Sequence, residues 1–286
     1  MFRKIVQHNY GYSRKYFGPL QAAILDWSGT TADKYVIAPA EVFCRVFEKH
    51  QVPISMAEAR LPMGLRKDLH IQEITKIPEV KKRWNTEYGV DPTETDVQNM
   101  FRDFVPMQLE CLEKYSTLIP GTASTVNTLR ETYGLKIGST TGFTKEMVDI
   151  LLDHADKQGY RPDASVAGDQ VENGERPKPF MLYQNLEMLD VHPIQSVVKV
   201  DDTVGGVGEG LEGGCWTVGL ARYSNYMDIS TLEEEALLTK EELNYKLRRS
   251  RDILRKSGAH YVVDDITHLP QVVKDINRRL SVGEKP

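Results

Sequence analysis

The stretch Ala22–Asp33, AAILDWSGTTAD, constrains this chain more than any other. A short apolar run, Ala22 to Leu25, ends in Asp26, and a Gly-Thr-Thr turn follows at once. A run of that length reads as a buried strand. Gly29 permits a sharp turn, and the N–H groups and hydroxyls of Thr30 and Thr31 beyond it can hold a phosphate. Asp26 is therefore expected at the carboxyl end of a strand, where α/β sheets place their ligands. On this stretch alone a solvated Asp-Ser-Gly turn is the simpler explanation. The later stretches reverse that.

After Asp33 the pattern turns helical. Pro39, then Val42, Phe43, Val46 and Phe47, mark an amphipathic helix. Met56–Leu61, Leu65–Lys76, Glu79–Tyr88 and Glu94–Tyr115 continue as helix, and Pro120-Gly121 closes the block. Beyond it the rhythm alternates. Helices are expected at Thr122–Thr132, Lys145–Gln158, Phe180–Leu189 and Leu232–Lys256, with a closing helix at the end. Strands are expected at Leu135–Thr141, Ala164–Ala167, Val197–Val200, Cys215–Leu220 and His260–Val263. Such alternation implies a parallel sheet covered by helices on both faces. The expected fold class is α/β: a Rossmann-like parallel-sheet core from residues 21–34 and 116–286, with a small helical cap, residues 35–115, inserted after the first strand. Residues 1–20 form an N-terminal extension.

Bulk properties narrow the function classes. With 286 residues, 40% hydrophobic and 27% charged, the chain has the composition of an ordinary globular enzyme. A net charge of -5 gives no general attraction for nucleic acid, and no apolar run approaches the ~18 residues of a membrane span. Cys44, Cys111 and Cys215 are scattered, which suits a reducing compartment and neither a disulfide framework nor a zinc site. The expected location is cytoplasmic. Residues 1–20 lack Asp and Glu but carry Arg3, Lys4, Arg14 and Lys15, which leaves organelle targeting open; an ordered or ragged extension is the preferred reading.

Three strand ends carry polar residues that can meet at one sheet edge: Asp26-Trp27-Ser28-Gly29-Thr30-Thr31, then Thr140-Thr141-Gly142, then Asp201-Asp202-Thr203. Arg176-Pro177-Lys178-Pro179 lies between the last two. Acids, hydroxyls and a cation are the parts of phosphoryl transfer. One carboxylate attacks phosphorus, another helps hold Mg²⁺, and the rest neutralise phosphoryl oxygens. Each piece has a plainer explanation: strand threonines, a solvated arginine, a helix-capping Asp pair. Their combination in this order is far more specific.

That order resembles the haloacid dehalogenase superfamily, in which a nucleophilic Asp forms an aspartyl-phosphate. Most phosphatases of that superfamily place a general acid two residues later, where this chain has Ser28. A departing alkoxide needs a proton, so the change suggests a leaving group other than oxygen. Met63, Lys67 and His70, in RLPMGLRKDLH, have the spacing of one helical stripe. An amine buried in an apolar cap loses part of its basicity and can attack a carbonyl. Taken alone, the stripe reads more simply as a snorkelling lysine beside a core Met and a surface His. Joined to Asp26, the lysine gains a purpose. Cleaving a phosphorus–carbon bond leaves a carbanion, and an imine on Lys67 would turn it into a neutral enamine.

DWSGTT, RLPMGLRKDLH, KIGSTTGFT, GYRPD, VKVDDT, GCWTVGL and GAHYVV closely resemble the phosphonoacetaldehyde hydrolase (phosphonatase) family, over nearly the whole chain from Ala22 onward. The resemblance implies a Mg²⁺-dependent homodimer acting on a small phosphonate. By position it implies Asp26 as nucleophile and Lys67 as Schiff-base lysine, with Met63 and His70 tuning the lysine and its proton transfers. It places Mg²⁺ on Asp26, Asp202 and the Ser28 carbonyl, and the phosphonate on Thr30, Thr141, Gly142 and Arg176, with Lys178 as a rival cation. Three positions depart from the family pattern. Ser28 replaces an Ala, Phe143 a Tyr, and Gly206 stands where a second acid often orders the metal's waters; Asp201 is the candidate to compensate. A phosphate-monoester phosphatase or phosphomutase of the same fold, and a degenerate dimeric binding protein, are the alternative readings.

Overall fold

The computed structural model describes residues 15–286. The first fourteen residues of the expected extension lie outside the described part. Of the remainder, Leu20 is buried, and its N–H donates to Asn277 Oδ1 at 2.7 Å.

β1 (Ala22–Leu25) is wholly buried. The chain then runs through α1 (Ile37–Lys49), α2 (Met56–Arg60), α3 (Lys67–Lys76), α4 (Pro78–Tyr88), α5 (Glu94–Tyr115) and α6 (Thr122–Tyr133) before β2 (Lys136–Thr141). α7 (Lys145–Lys157), β3 (Ala164–Ala167), α8 (Phe180–Leu189), β4 (Val197–Asp201), α9 (Val204–Gly213) and β5 (Trp216–Leu220) follow. α10 (Leu232–Leu237), α11 (Lys240–Lys256), β6 (Tyr261–Val263) and α12 (Leu269–Ser281) complete the order.

The strands form one parallel sheet in the order β3-β2-β1-β4-β5-β6. Continuous apolar runs such as AAIL are what a sheet covered on both faces requires. Large buried clusters surround it, one of them running from Leu25, Val198 and Trp216 of the strands to Phe43, Phe47, Trp84 and Phe104 of the helices. β1 sits between β2 and β4, with Leu25 opposite both Ser139 and Val200. That register brings the residues after β1, β2 and β4 together at the carboxyl edge, at the point where the connections switch direction.

Three local expectations are corrected. The stretch Leu232–Lys256 is two helices, because Leu238 is extended and Thr239 starts α11 with a capping box to Glu242. Met63, Lys67 and His70 do not share one helix: α3 begins at Lys67, and Met63 lies in the preceding turn, where Gly64 takes φ 100°. The helix cap before α9 is Thr203, whose side chain accepts from the Gly206 N–H, and not the Asp201-Asp202 pair.

Candidate active site

Asp26 leaves β1 into a cavity lined by Ser28, Met63, Lys67, Thr141, Gly142, Phe143, Arg176, Asp202 and Thr203. Its free volume is about 20 Å³, little more than one water occupies.

The carboxylate of Asp26 is 6% exposed and accepts from Arg176 Nη2 at 2.8 Å. Burial, with Asp201 adding to it, pushes its pKa up to about 6 despite Arg176. Arg176 is itself buried and bonded on every side. Its Nη2 also reaches the Thr140 carbonyl at 3.0 Å, Nε donates to Glu209 Oε2 at 3.0 Å, and Nη1 lies 3.4 Å from Asp201 Oδ2. Lys178 turns to the surface instead and pairs with Glu175.

Lys67 is 5% exposed, and its Nζ stands 4.6 Å from the Phe143 ring centroid and 5.9 Å from that of Phe43. Burial lowers its pKa to about 8, with Asp26 opposing the shift. One helical turn on, the His70 ring lies 3.9 Å from that of Phe43. The Ala59 carbonyl is 2.8 Å from Nε2 and can only accept, so Nε2 carries the proton. Nδ1 is buried without a partner, and burial holds the imidazole neutral.

The acids after β4 divide by environment. Asp201 is saturated: Oδ1 accepts from the Thr203 N–H and hydroxyl at 2.9 and 2.8 Å, and Oδ2 from Lys199 Nζ at 2.8 Å. Burial alone would raise its pKa, but Lys199 and Arg176 hold it below the ordinary range. Among the described residues the Asp202 carboxylate has one partner, the Asn225 N–H at 2.8 Å on Oδ2, and its Oδ1 is buried and unpartnered. Burial and the neighbouring acids raise its pKa well above normal. Gly29, at φ 79°, belongs to this close packing, since a Cβ there would lie 2.4 Å from Asp202 Oδ2.

One oxygen from each of Asp26, Asp201 and Asp202 lies within 4.8 Å of the others. Buried hard oxygen donors, one with an unsatisfied lone pair, fit a divalent cation such as Mg²⁺. Gly142 lines the cavity tight against the Leu65 carbonyl, with no room there for a side chain. Thr30 is fully buried, its Oγ1 is unpartnered, and it is not part of the cavity lining.

Sequence reasoning missed Lys199, Glu209, Arg60 and Asn225, all buried. Lys199 left a readable signal. A charge inside the apolar strand VVKVD has to meet an opposite charge in the interior.

No protein-family model matches the chain. Curated relatives do. It is 41% identical over 261 residues to a phosphonoacetaldehyde hydrolase of Bacillus cytotoxicus, covering 91% of this chain and 97% of that one. A protein of the same name from Klebsiella pneumoniae is 40% identical over 268 residues, 93% and 99% of the two chains. Among solved structures, a phosphonoacetaldehyde hydrolase-like protein from Oleispira antarctica superposes with a TM-score of 0.92 at 34% identity, over 98% of this chain and all of that one. A β-phosphoglucomutase from Clostridium difficile, at 17% identity and TM-score 0.65, shares the fold. With that identity along nearly its whole length, the chain belongs to the phosphonoacetaldehyde hydrolase family.

Proposed function

We propose that this protein hydrolyses the phosphorus–carbon bond of phosphonoacetaldehyde, giving acetaldehyde and phosphate. One observation carries the reading: a desolvated Lys67 amine and the Asp26 carboxylate share one cavity, while Ser28 supplies no acid. Such a site suits a carbon leaving group whose electrons an imine accepts.

The neutral Lys67 amine adds to the aldehyde carbon, and with uptake of one proton water leaves, forming a protonated imine whose nitrogen can accept an electron pair. His70 does not line the cavity; held neutral by burial, it tunes Lys67 from behind by fixing α3 through its Nε2–H bond to the Ala59 carbonyl and its contact with Phe43. Asp26 then attacks phosphorus, and the phosphorus–carbon electron pair moves into the carbon framework toward the imine nitrogen, leaving an enamine. Protonation at carbon and hydrolysis of the imine release acetaldehyde and the free lysine. Water hydrolyses the aspartyl-phosphate, freeing phosphate and Asp26. Arg176, Thr141 and the backbone at Gly142 hold the phosphoryl oxygens, and Met63 lines the same cavity as Lys67. Asp26, Asp202 and the Ser28 carbonyl would hold Mg²⁺, which when bound screens the repulsion between carboxylate and phosphonate.

Residues 35–115 serve as the cap in this reading, over a core of 21–34 and 116–286. The small cavity supports a cap that opens for substrate and closes to exclude water from the imine. The protein acts as a homodimer. Phe180, Tyr183 and Met188, each at least 43% exposed on α8, support an apolar contact with a second copy.

The test is phosphate release from phosphonoacetaldehyde with Mg²⁺, followed by borohydride reduction and peptide mapping. Release with an ethyl adduct on Lys67 bears the reading out. Turnover of phosphate esters without the adduct would assign a phosphatase or phosphomutase instead. Silence toward both would leave a binding protein.

A further inference from the structure

One buried cation has no part in that chemistry. Arg60, the last residue of α2, is 5% exposed. Its Nη1 donates to the Tyr35 carbonyl at 2.6 Å and to Asn225 Oδ1 at 3.0 Å, and its Nη2 to the Ile229 carbonyl at 2.7 Å. These acceptors are all neutral. Burying a guanidinium against neutral acceptors is costly, so the arrangement points to something it must order.

It orders two things. Tyr35 and Val36 sit at φ 65° and 55°, a left-handed conformation that a β-branched residue seldom adopts. Arg60 grips the Tyr35 carbonyl at the point where the chain leaves for α1. Asn225 is gripped as well, because its Nδ2 donates to the Arg60 carbonyl at 3.1 Å while its Oδ1 accepts from the guanidinium. The N–H of that same Asn225 is the one partner of the Asp202 carboxylate among the described residues. The turn that follows Arg60 leads directly into Lys67.

We infer that Arg60 is a positioning residue that couples the seating of Lys67 to the orientation of Asp202 through Asn225. The inference rests on the proposed roles of Lys67 and Asp202. When α2 is seated, Asn225 is fixed and its N–H is aimed at Asp202. When α2 lifts, Asn225 loses its side-chain bonds and Asp202 its aligned donor. Coupling of this kind is reciprocal, so a cation at Asp202 favours the seated form, in which Lys67 is closed from solvent.

The experiment is reductive alkylation of Lys67 by acetaldehyde and borohydride, with and without Mg²⁺, on the substrate-free protein. Mg²⁺ affinity is measured in parallel by calorimetry. In the wild type, Mg²⁺ slows Lys67 labelling at least threefold. In Arg60→Met the labelling rate no longer responds to Mg²⁺, and Mg²⁺ binds about tenfold more weakly. Arg60→Lys recovers part of both, because an ammonium reaches a carbonyl but does not supply the planar fork. Should Arg60→Met fail to fold, Asn225→Ala carries the same test, since it keeps the Tyr35 and Ile229 bonds and cuts the route to Asp202. A Mg²⁺ effect of wild-type size in these variants, or none in the wild type, overturns the inference. Coupling in a protein that releases no phosphate from phosphonoacetaldehyde would sink the functional reading and leave the inference standing.

Discussion

The Asp201 carboxylate fills the space directly above Gly206: a Cβ on residue 206 would lie 1.8 Å from Asp201 Oδ2. Both oxygens of Asp201 are anchored, by Thr203 on one side and Lys199 on the other, so it has little freedom to yield. An acid at position 206 and an acid at position 201 are therefore mutually exclusive. Gly206→Ala is expected to cost about 1–3 kcal/mol by overpacking. In an Asp201→Gly background the same change should cost far less, a coupling that chemical denaturation of the double-mutant cycle measures. Asp201→Gly with Gly206→Asp should recover Mg²⁺ affinity lost in Asp201→Gly alone.

In the proposed mechanism Lys67 sets the pH dependence. Its pKa is lowered from 10.5 to about 8, so the reactive neutral amine is dominant above pH 8 and is lost as pH falls through that value. Borohydride trapping with phosphonoacetaldehyde should rise about tenfold per pH unit below 8 and level off above it. Lys67→Met should abolish trapping, and turnover should fall by at least about a thousandfold. Trapping with a midpoint near 10 would mean that the amine is solvated in solution.

The two cations of the Arg-Pro-Lys-Pro stretch should separate cleanly. Arg176→Met leaves Asp26 and Glu209 buried without their shared partner and is expected to destabilise the fold by about 3–5 kcal/mol. Turnover should be lost even where the protein still folds. Lys178→Met breaks only a surface pair and should change stability by less than about 1 kcal/mol, with activity intact. Equal effects at both positions would contradict the placement of Arg176.

The proposed dimer predicts that Tyr183→Asp together with Met188→Asp yields a monomer in sedimentation at micromolar concentration. Secondary structure should be unchanged, because both side chains point outward from α8. A monomeric wild type would remove the proposal.

Much of this architecture could be read from the sequence because its signals are local. AAIL followed by Asp26, and Val197 to Val200 followed by Asp201-Asp202, are apolar strands with acids at their ends, and the parallel sheet follows from the alternation with helices. Met63 was misread as helical because spacing shows periodicity but not the start of a helix; Gly64 at φ 100° ends the pattern. The charge network was hidden for a different reason. Glu209 lies on a glycine-rich helix and meets Arg176 from 33 positions away, and only the sheet register brings them together. Arg60 gives no sequence signal, since its partners are mostly backbone carbonyls.

β1 and β2 are neighbours in the sheet, yet the chain passes through α1 to α6 between Leu25 and Lys136. Seen from the sheet, everything between those residues is a single excursion that departs and returns one strand apart. α1 to α5 contribute no strand to the sheet, so their length and content do not enter its register. In the proposed mechanism, accepting a phosphoryl group belongs to the sheet, and accepting carbon electrons belongs to the excursion that carries Lys67. A lineage that exchanged the excursion would change what leaves phosphorus without rebuilding what attacks it.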